Sequence, residues 1–437
     1  MGKLVIYVIP ETFPLFLAPA IETLQQIPFY SFMVAVILIS FALIVWGFRH
    51  KLYTRGIKYA LLHMRILLKV KKSLHEAKYY IVTGFKNKSA RLPKIKIKLS
   101  KDYMHGEIQL ENHIQWEKPY ENICLSSSLI GGYIIEESYI TDDGNNFVYK
   151  FSHIKTQRQE VFTNAEKFLE WSRCGDYEMK IDTRNAPIEL TSLLCVGTTG
   201  SGKSLSLINL NMQCLAKQIP YYFYYADPKM TDLGNLGKSI NAENTAESIE
   251  DIIELMRKFY NAMESRKPEY QKMLRGHYSV DYRDFALSPH IFLMEEASSV
   301  FSFIGKMDKS IRDEFSAMLK AIVLQGRALG FFLWCAMQKS DATSIPTEIR
   351  ENLPCKIILA RGAEQTTVVT LFGVSAQIPS RKYLAGQGCY ITPATGSIKL
   401  CFFPTLNFNV PCEISKLASE KNVQVPEHSQ VIEITEH

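Results

Sequence analysis

Residues 196–207 read VGTTGSGKSLSL, at the end of the apolar run SLLCV at 192–196. Gly197, Thr198, Thr199, Gly200, Ser201, Gly202, Lys203 and Ser204 satisfy the pattern G-x-x-x-x-G-K-[ST], and LSLINLNMQCLAKQ at 205–218 has the pattern of a helix. An apolar strand before and a helix after are the context in which such a turn wraps phosphate: glycine lets the backbone approach, and successive amides and the helix N-terminus face the anion. The cradle runs from Gly197 through Leu205, Lys203 would reach the β and γ phosphates, and the Ser204 hydroxyl would bind Mg2+.

Holding a nucleotide needs nothing more, but hydrolysing it needs one carboxylate for the metal and another to orient or activate water. The run HIFLMEEASS at 290–299 offers both, because a buried strand delivers Glu295 and Glu296 at its C-terminal end, where open α/β sheets bind ligands. A pair of exposed acids at a strand end is the plainer alternative, which the phosphate turn beside it weakens. A further strand, FFLWCAMQ at 331–338, ends in Gln338, either a γ-phosphate sensor or a plain capping amide.

Around these motifs short apolar runs alternate with longer helical ones (SLLCVG, IPYYFYYADP, HIFLMEE, FFLWCAMQ, CKIILAR, GCYIT), which predicts an α/β fold with a parallel sheet covered on both faces. Upstream, KIKIKL at 94–99 switches to a period of two, and the strand-like runs beyond it are broken by the hairpin signal DDGNN at 142–146. This predicts a membrane anchor over 1–48, a basic helical region over 49–90, a small β-rich domain over 91–175, an ATPase-type core over 176–405 and a polar tail over 406–437.

Ile27 to Phe48 carries no charge, and about 20 apolar residues in a helix span a bilayer. Arg49, His50, Lys51 and Arg55 come next, so the segment is expected to be a transmembrane helix with its C-terminal side in the cytoplasm, and not a cleaved leader. Residues 4–21 are a possible second span, interrupted by Pro10, Glu11, Pro14 and Pro19. Between Arg49 and Lys101 stand sixteen Lys/Arg against the single acid Glu76, whereas the whole chain is only +6. The positive charge is thus juxtamembrane and suits anionic lipid better than nucleic acid, with a solvated helix face as the plain alternative. The region from Arg49 to Tyr80 is expected to continue the membrane helix inward. Nine scattered cysteines, none spaced Cys-x-x-Cys, exclude a disulfide framework or zinc site and fit reduced, buried thiols.

The TTGSGKS turn, the DPK at Asp227–Lys229, the acidic strand end, GRALGFFLWCAMQ, and IRENLPCKIILA with GQGCYI, in this order, resemble the FtsK/SpoIIIE branch of the FtsK/HerA ring ATPases over about residues 180–400. The resemblance implies a RecA-like P-loop NTPase core that forms homo-hexamers and uses ATP and Mg2+ to pump DNA. Gly200, Gly202, Lys203 and Ser204 match that family's Walker A, Glu295 and Glu296 its Walker B pair, and Gln338 its strand-end glutamine. Arg361, ahead of Arg350 and Arg327, is the candidate arginine finger toward a neighbouring subunit. Glu295 stands where the family usually has Asp, one methylene longer. No winged-helix segment succeeds the core within this sequence, which argues against guided chromosome pumping.

One anchor, one small β-rich domain and one motor is a layout similar to the FtsK-like coupling proteins of Gram-positive conjugative elements, the TcpA group. That implies partners in DNA, a relaxase and type IV secretion-channel proteins. The basic, aromatic stretch 257–285 is a candidate contact for DNA or a neighbouring subunit, against the plainer reading of a solvated helix with core aromatics. A chromosome- or plasmid-maintenance translocase, a nucleotide-gated docking receptor and a protein-export ATPase are the competing functions.

Overall fold

The computed structural model describes residues 29–83, 89–112, 125, 129, 131–156, 159–339, 345–373, 376, 378–379 and 381–420. The possible second span at 4–21, the first residues of the expected membrane helix and the last 17 residues of the tail lie outside them. The chain forms two compact units, Met1–Gln157 and Arg158–His437.

The first unit begins with α1 (Phe29–Arg49), 21 residues that rise about 31 Å, enough to cross a hydrocarbon core. Many of its apolar side chains stand outward: Ile37, Leu38 and Phe41 are 61–65% exposed. The next helix, α2 (Leu52–Glu76), does not prolong it. Lys51 adopts φ 56° and Gly56 φ 81°, ψ 173°, and the helical path breaks there. As a result Trp46 Nε1 lies 3.2 Å from Met64 Sδ, and His50 Nδ1 lies 3.0 Å from His63 Nδ1. In one straight helix these pairs would stand about 20–27 Å apart. The expected continuous helix is therefore a folded-back pair, turned by a glycine in a conformation that other residues resist.

α2 buries Tyr59, Ile66, Val70 and Leu74 against a four-stranded antiparallel sheet. The strands are β1 (Ile95–Leu99), β2 (His105–Glu111), β3 (Tyr133–Ile140) and β4 (Asn146–His153), in the order β1-β2-β4-β3. Alternation decides the faces: Ile97, Leu99, Ile108, Leu110, Phe147, Tyr149 and Phe151 form the core with α2, while Lys96 and Lys98 point to water. The basic helical region and the β-rich segment thus share one core.

The second unit is built on eight strands: β5 (Leu193–Gly197), β6 (Tyr222–Ala226), β7 (Thr245–Ala246), β8 (His290–Met294), β9 (Phe331–Met337), β10 (Cys355–Leu359), β11 (Gln387–Ile391) and β12 (Lys399–Phe402). Their order is β7-β6-β8-β9-β5-β10-β11-β12. Pairing is parallel from β7 to β10, but β11 and β12 run antiparallel, so the sheet is mixed where the alternation of runs predicts a parallel one. β11 joins β12 by a short connection without a helix, which is the link an antiparallel pair allows.

Successive residues of each central strand feed two cores. Leu194, Val196, Phe292, Met294 and Leu333 pack under α6 (Ile249–Met273), α7 (Ala297–Ile304), α8 (Lys309–Leu329) and α9 (Gln365–Phe372). Leu193, Cys195, Leu293, Trp334 and Ile357 pack under α3 (Ala165–Trp171), α4 (Lys203–Leu215), α5 (Asp232–Asn241) and α10 (Val410–Glu420). Burial on both faces explains the uninterrupted apolar runs. Phe168 and Ile414 are both fully buried in the second core, so the boundary expected at 175 moves to 157 and the segment up to Glu420 is packed rather than a tail.

Candidate nucleotide site

The phosphate-type turn occupies the C-terminal edge of the sheet. β5 lies between β9 and β10, with Val196 beside Met337 and Gly197 beside Leu359, so the residues just past those two strands, Gln338 and Arg361, flank the turn. Gly200 and Gly202 adopt φ 74° and 96°. A Cβ at Gly202 would sit 2.6 Å from the Gly386 nitrogen, so both dihedral and space demand glycine there. The loop carbonyls are engaged from outside: Ser201 O accepts from Gly386 N–H at 2.8 Å, and Gly200 O accepts from the Arg361 guanidinium at 3.0 Å. The Thr198 hydroxyl donates to the Arg361 carbonyl at 2.7 Å. With carbonyls turned outward, the positive ends of the loop peptides and of α4 face the cradle.

Lys203 is only 8% exposed, and its ammonium donates to Gly197 O at 2.7 Å, folded across its own loop. The Ser201 hydroxyl is buried without a partner. Thr199 is exposed and the Leu205 side chain is 56% exposed, which leaves only the Leu205 backbone to serve the cradle.

The acids arrive from β6 and β8, on the far side of β9 from the turn. β6 and β8 pair so that Ala226 lies beside Met294, and Asp227, Glu295 and Glu296 come directly after them at the same edge as the turn. Glu295 Oε1 stands 3.5 Å from Ser204 Oγ, while its buried Oε2 has no partner. Burial foremost, then the Asp227 carboxylate, pushes the Glu295 carboxyl up to about 7, against the pull of Lys203. Among the described residues no group of three His, Cys, Asp or Glu could hold a metal by itself. The orphaned carboxylate oxygen beside a serine hydroxyl fits Mg2+, which takes one or two protein oxygens and completes its shell with phosphate and water. The longer Glu295 side chain does reach Ser204.

Glu296 is 6% exposed and lies in the left-handed region at φ 48°, ψ 53°, a conformation that costs a non-glycine residue about 1–2 kcal/mol. Its Oε2 is 3.1 Å from Lys229 Nζ, and Ser298 Oγ donates to its Oε1 at 2.8 Å. Asp227, noted in the sequence only as part of DPK, shapes this corner. It accepts from Lys229 N–H at 3.1 Å, from the Thr231 N–H and hydroxyl at 2.6 and 2.8 Å, and from Gly234 N–H at 3.0 Å. A polar residue that ends one buried strand beside another strand's acids was the available signal.

Gln338 lines a small cavity with Gly197, Thr198, Ile358 and Thr367, beside the Lys339–Glu364 ion pair. The Arg361 guanidinium donates to its own chain's loop at Gly200 O, because β10 ends directly beside β5. Arg350 and Arg327 precede β10 and β9 and so lie toward the opposite edge of the sheet. In the stretch 257–285, Phe259, Tyr270 and Tyr282 are core residues, and Arg257 and Arg283 are ion-paired with Glu314 and Asp281. Lys258, Lys272, Arg275 and Tyr278, the last 93% exposed, are what that stretch presents to solvent.

Residues 156–285 match the model of the FtsK/SpoIIIE family, a span that includes the turn and Asp227 but stops short of Glu295. The Ftsk domain-containing protein YdcQ of Bacillus subtilis (strain 168) is 25% identical over 237 residues, covering 54% of this chain and 47% of that protein. DNA translocase FtsK of Staphylococcus aureus (strain Mu50) is 25% identical over 201 residues, covering 42% of this chain and 24% of that one. The chain therefore spans less than half the length of these relatives. Among solved structures it is similar to the monomer form of the pCW3 conjugation coupling protein TcpA with ATPgS, with TM-score 0.49 and 18% identity over 80% of this chain and 99% of that one. It is also similar to EssC (ATPases 2 and 3) from Geobacillus thermodenitrificans, with TM-score 0.44 and 15% identity over 62% and 53%. The resemblance read from the motifs is met over residues 156–285, which are similar to the FtsK/SpoIIIE family.

Proposed function

We propose that the chain is a membrane-anchored, ATP-driven DNA translocase that serves as a coupling protein in conjugative transfer and feeds DNA to a type IV secretion channel. The observation that carries this reading is the convergence of Lys203, Ser204, Glu295 and Glu296 at one sheet edge, in a unit whose residues up to 285 match the FtsK/SpoIIIE family's model. ATP would lie along the turn, with Lys203 leaving the Gly197 carbonyl for the β and γ phosphates. Mg2+, held by Ser204 and Glu295, would neutralise charge developing on the phosphates. Glu296 would orient a water and take its proton as the water oxygen attacks the γ phosphorus; the bridging P–O bond breaks and ADP leaves. Gln338, facing Thr198, would sense the γ phosphate.

α1 supports the anchor, and Arg49, Lys51 and Arg55 beyond it support a cytoplasmic second unit. The folded-back α2 presents Lys58, Arg65, Lys69 and Lys72 on its exposed face, a stripe suited to anionic headgroups. A homo-hexameric ring, a relaxase and the channel proteins complete the scheme by family resemblance. A nucleotide-gated docking receptor is the second reading, favoured by the ion pair that engages Glu296. Triplex displacement by the full chain tests the first: a third strand is stripped in the presence of ATP and not of ATPγS. A receptor leaves the triplex intact with either.

A further inference from the structure

The Lys229–Glu296 pair has no place in the hydrolytic scheme above, yet it joins the two loops that frame the site. Lys229 sits on the turn that Asp227 ties down through four hydrogen bonds, and a Cβ at Gly234 would come within 2.8 Å of the Asp227 carboxylate. The turn is therefore fixed in shape, with Met230 at φ 53°, and it aims the Lys229 ammonium at Glu296 Oε2, 3.1 Å away. Glu296 is fixed as well, by its left-handed backbone and by the Ser298 hydroxyl on its other oxygen. Both oxygens of the water-activating carboxylate are thus engaged, and its charge is neutralised by a cation that belongs to neither phosphate nor metal.

We propose that Lys229 is a positioning residue that holds Glu296 in a resting arrangement, so that it limits the ATP turnover of the chain in the absence of DNA. The proposal rests on the hydrolytic reading of the site. For the carboxylate to bind the attacking water, the ammonium must withdraw toward solvent, a short movement for a side chain already 43% exposed. Removing the cation removes the restraint without emptying any core, because Lys229 packs in none.

The test is ATP turnover by the full chain in detergent, with and without duplex DNA, for the wild type, K229M, K229R, E296Q and K229M/E296Q. K229M should raise the DNA-independent kcat about fivefold, the scale of a half-exposed ion pair, with KM for ATP unchanged and the DNA-stimulated rate nearly so. K229R, which keeps the cation, should hold the DNA-independent rate below that of K229M. K229M/E296Q should be as inactive as E296Q, which places the effect on Glu296. A wild type stimulated by DNA with a K229M basal rate unchanged or lowered overturns this inference alone. A wild type that hydrolyses no ATP under either condition overturns the hydrolytic reading and this inference with it.

Discussion

The Arg361 guanidinium and the Gly200 carbonyl close the phosphate loop from outside at 3.0 Å, and the loop's Thr198 hydroxyl returns the bond to the Arg361 backbone at 2.7 Å. Arg361→Ala should therefore loosen the nucleotide cradle of its own chain. A fluorescent ATP analogue should bind about fivefold more weakly, the worth of one exposed charge-assisted hydrogen bond. Equimolar mixing of R361A with E296Q should give no more hydrolysis than the R361A in the mixture gives alone, since each defect stays in its own chain's site; a gain on mixing would mean that Arg361 acts on a neighbour.

Glu295 predicts a pH dependence of defined sign. Its carboxyl is raised from 4.5 to about 7, chiefly by burial. Between these values the folded chain holds a proton that the unfolded chain has released, so this group's contribution to stability is complete below pH 4.5. It is lost as pH rises toward 7, at up to about 1.4 kcal/mol per pH unit. Mg2+ requires the ionised carboxylate, so Mg-nucleotide binding at about pH 6 should release close to one proton, and at about pH 9 none from this group. Calorimetry in buffers of different ionisation heat should show this, and E295Q should abolish it.

Gly200 and Gly202 both have positive φ, but a Cβ at Gly200 meets nothing within 4 Å, whereas at Gly202 it meets the Gly386 nitrogen at 2.6 Å. Gly200→Ala should cost about 1 kcal/mol of backbone strain, and Gly202→Ala about 3 kcal/mol because the clash adds to it. Thermal unfolding of the nucleotide-binding unit ranks the two; equal losses would contradict the packing of loop 384–387 behind the turn.

The stripe on α2 carries a lipid prediction. In nanodiscs containing phosphatidylglycerol, amide exchange in 58–72 should be slower than in phosphatidylcholine alone. Replacing Lys58, Arg65, Lys69 and Lys72 with glutamine should remove the difference, at about 1 kcal/mol per charge. Identical exchange in both lipids would leave the stripe a solvated face.

The turn at Lys203 was readable in sequence because its chemistry is local: glycines at fixed spacing, a strand before and a helix after. The strands were readable because both faces are buried, which writes them as continuous apolar runs. What escaped depends on contacts distant in sequence. Nothing around Gly56 in a basic, helical stretch announces that His50 will meet His63. Phe168 and Ile414 look like residues of the small β-rich domain and of a tail until the sheet they cover is assembled. The antiparallel course of β11 and β12 is a matter of pairing in the assembled sheet, which strand composition does not write. Asp227 was visible as a motif, but its service as a hub for Lys229, Thr231 and Gly234 belongs to the folded turn.

The central claim is that the turn around Lys203 and the acids after Met294 form one hydrolytic site driven by DNA. Steady-state ATP hydrolysis by the full chain, with and without duplex DNA, beside E296Q, tests it most directly. The account predicts turnover that DNA stimulates severalfold and that E296Q abolishes while ATP binding survives. Turnover indifferent to DNA, or E296Q as active as the wild type, would contradict it.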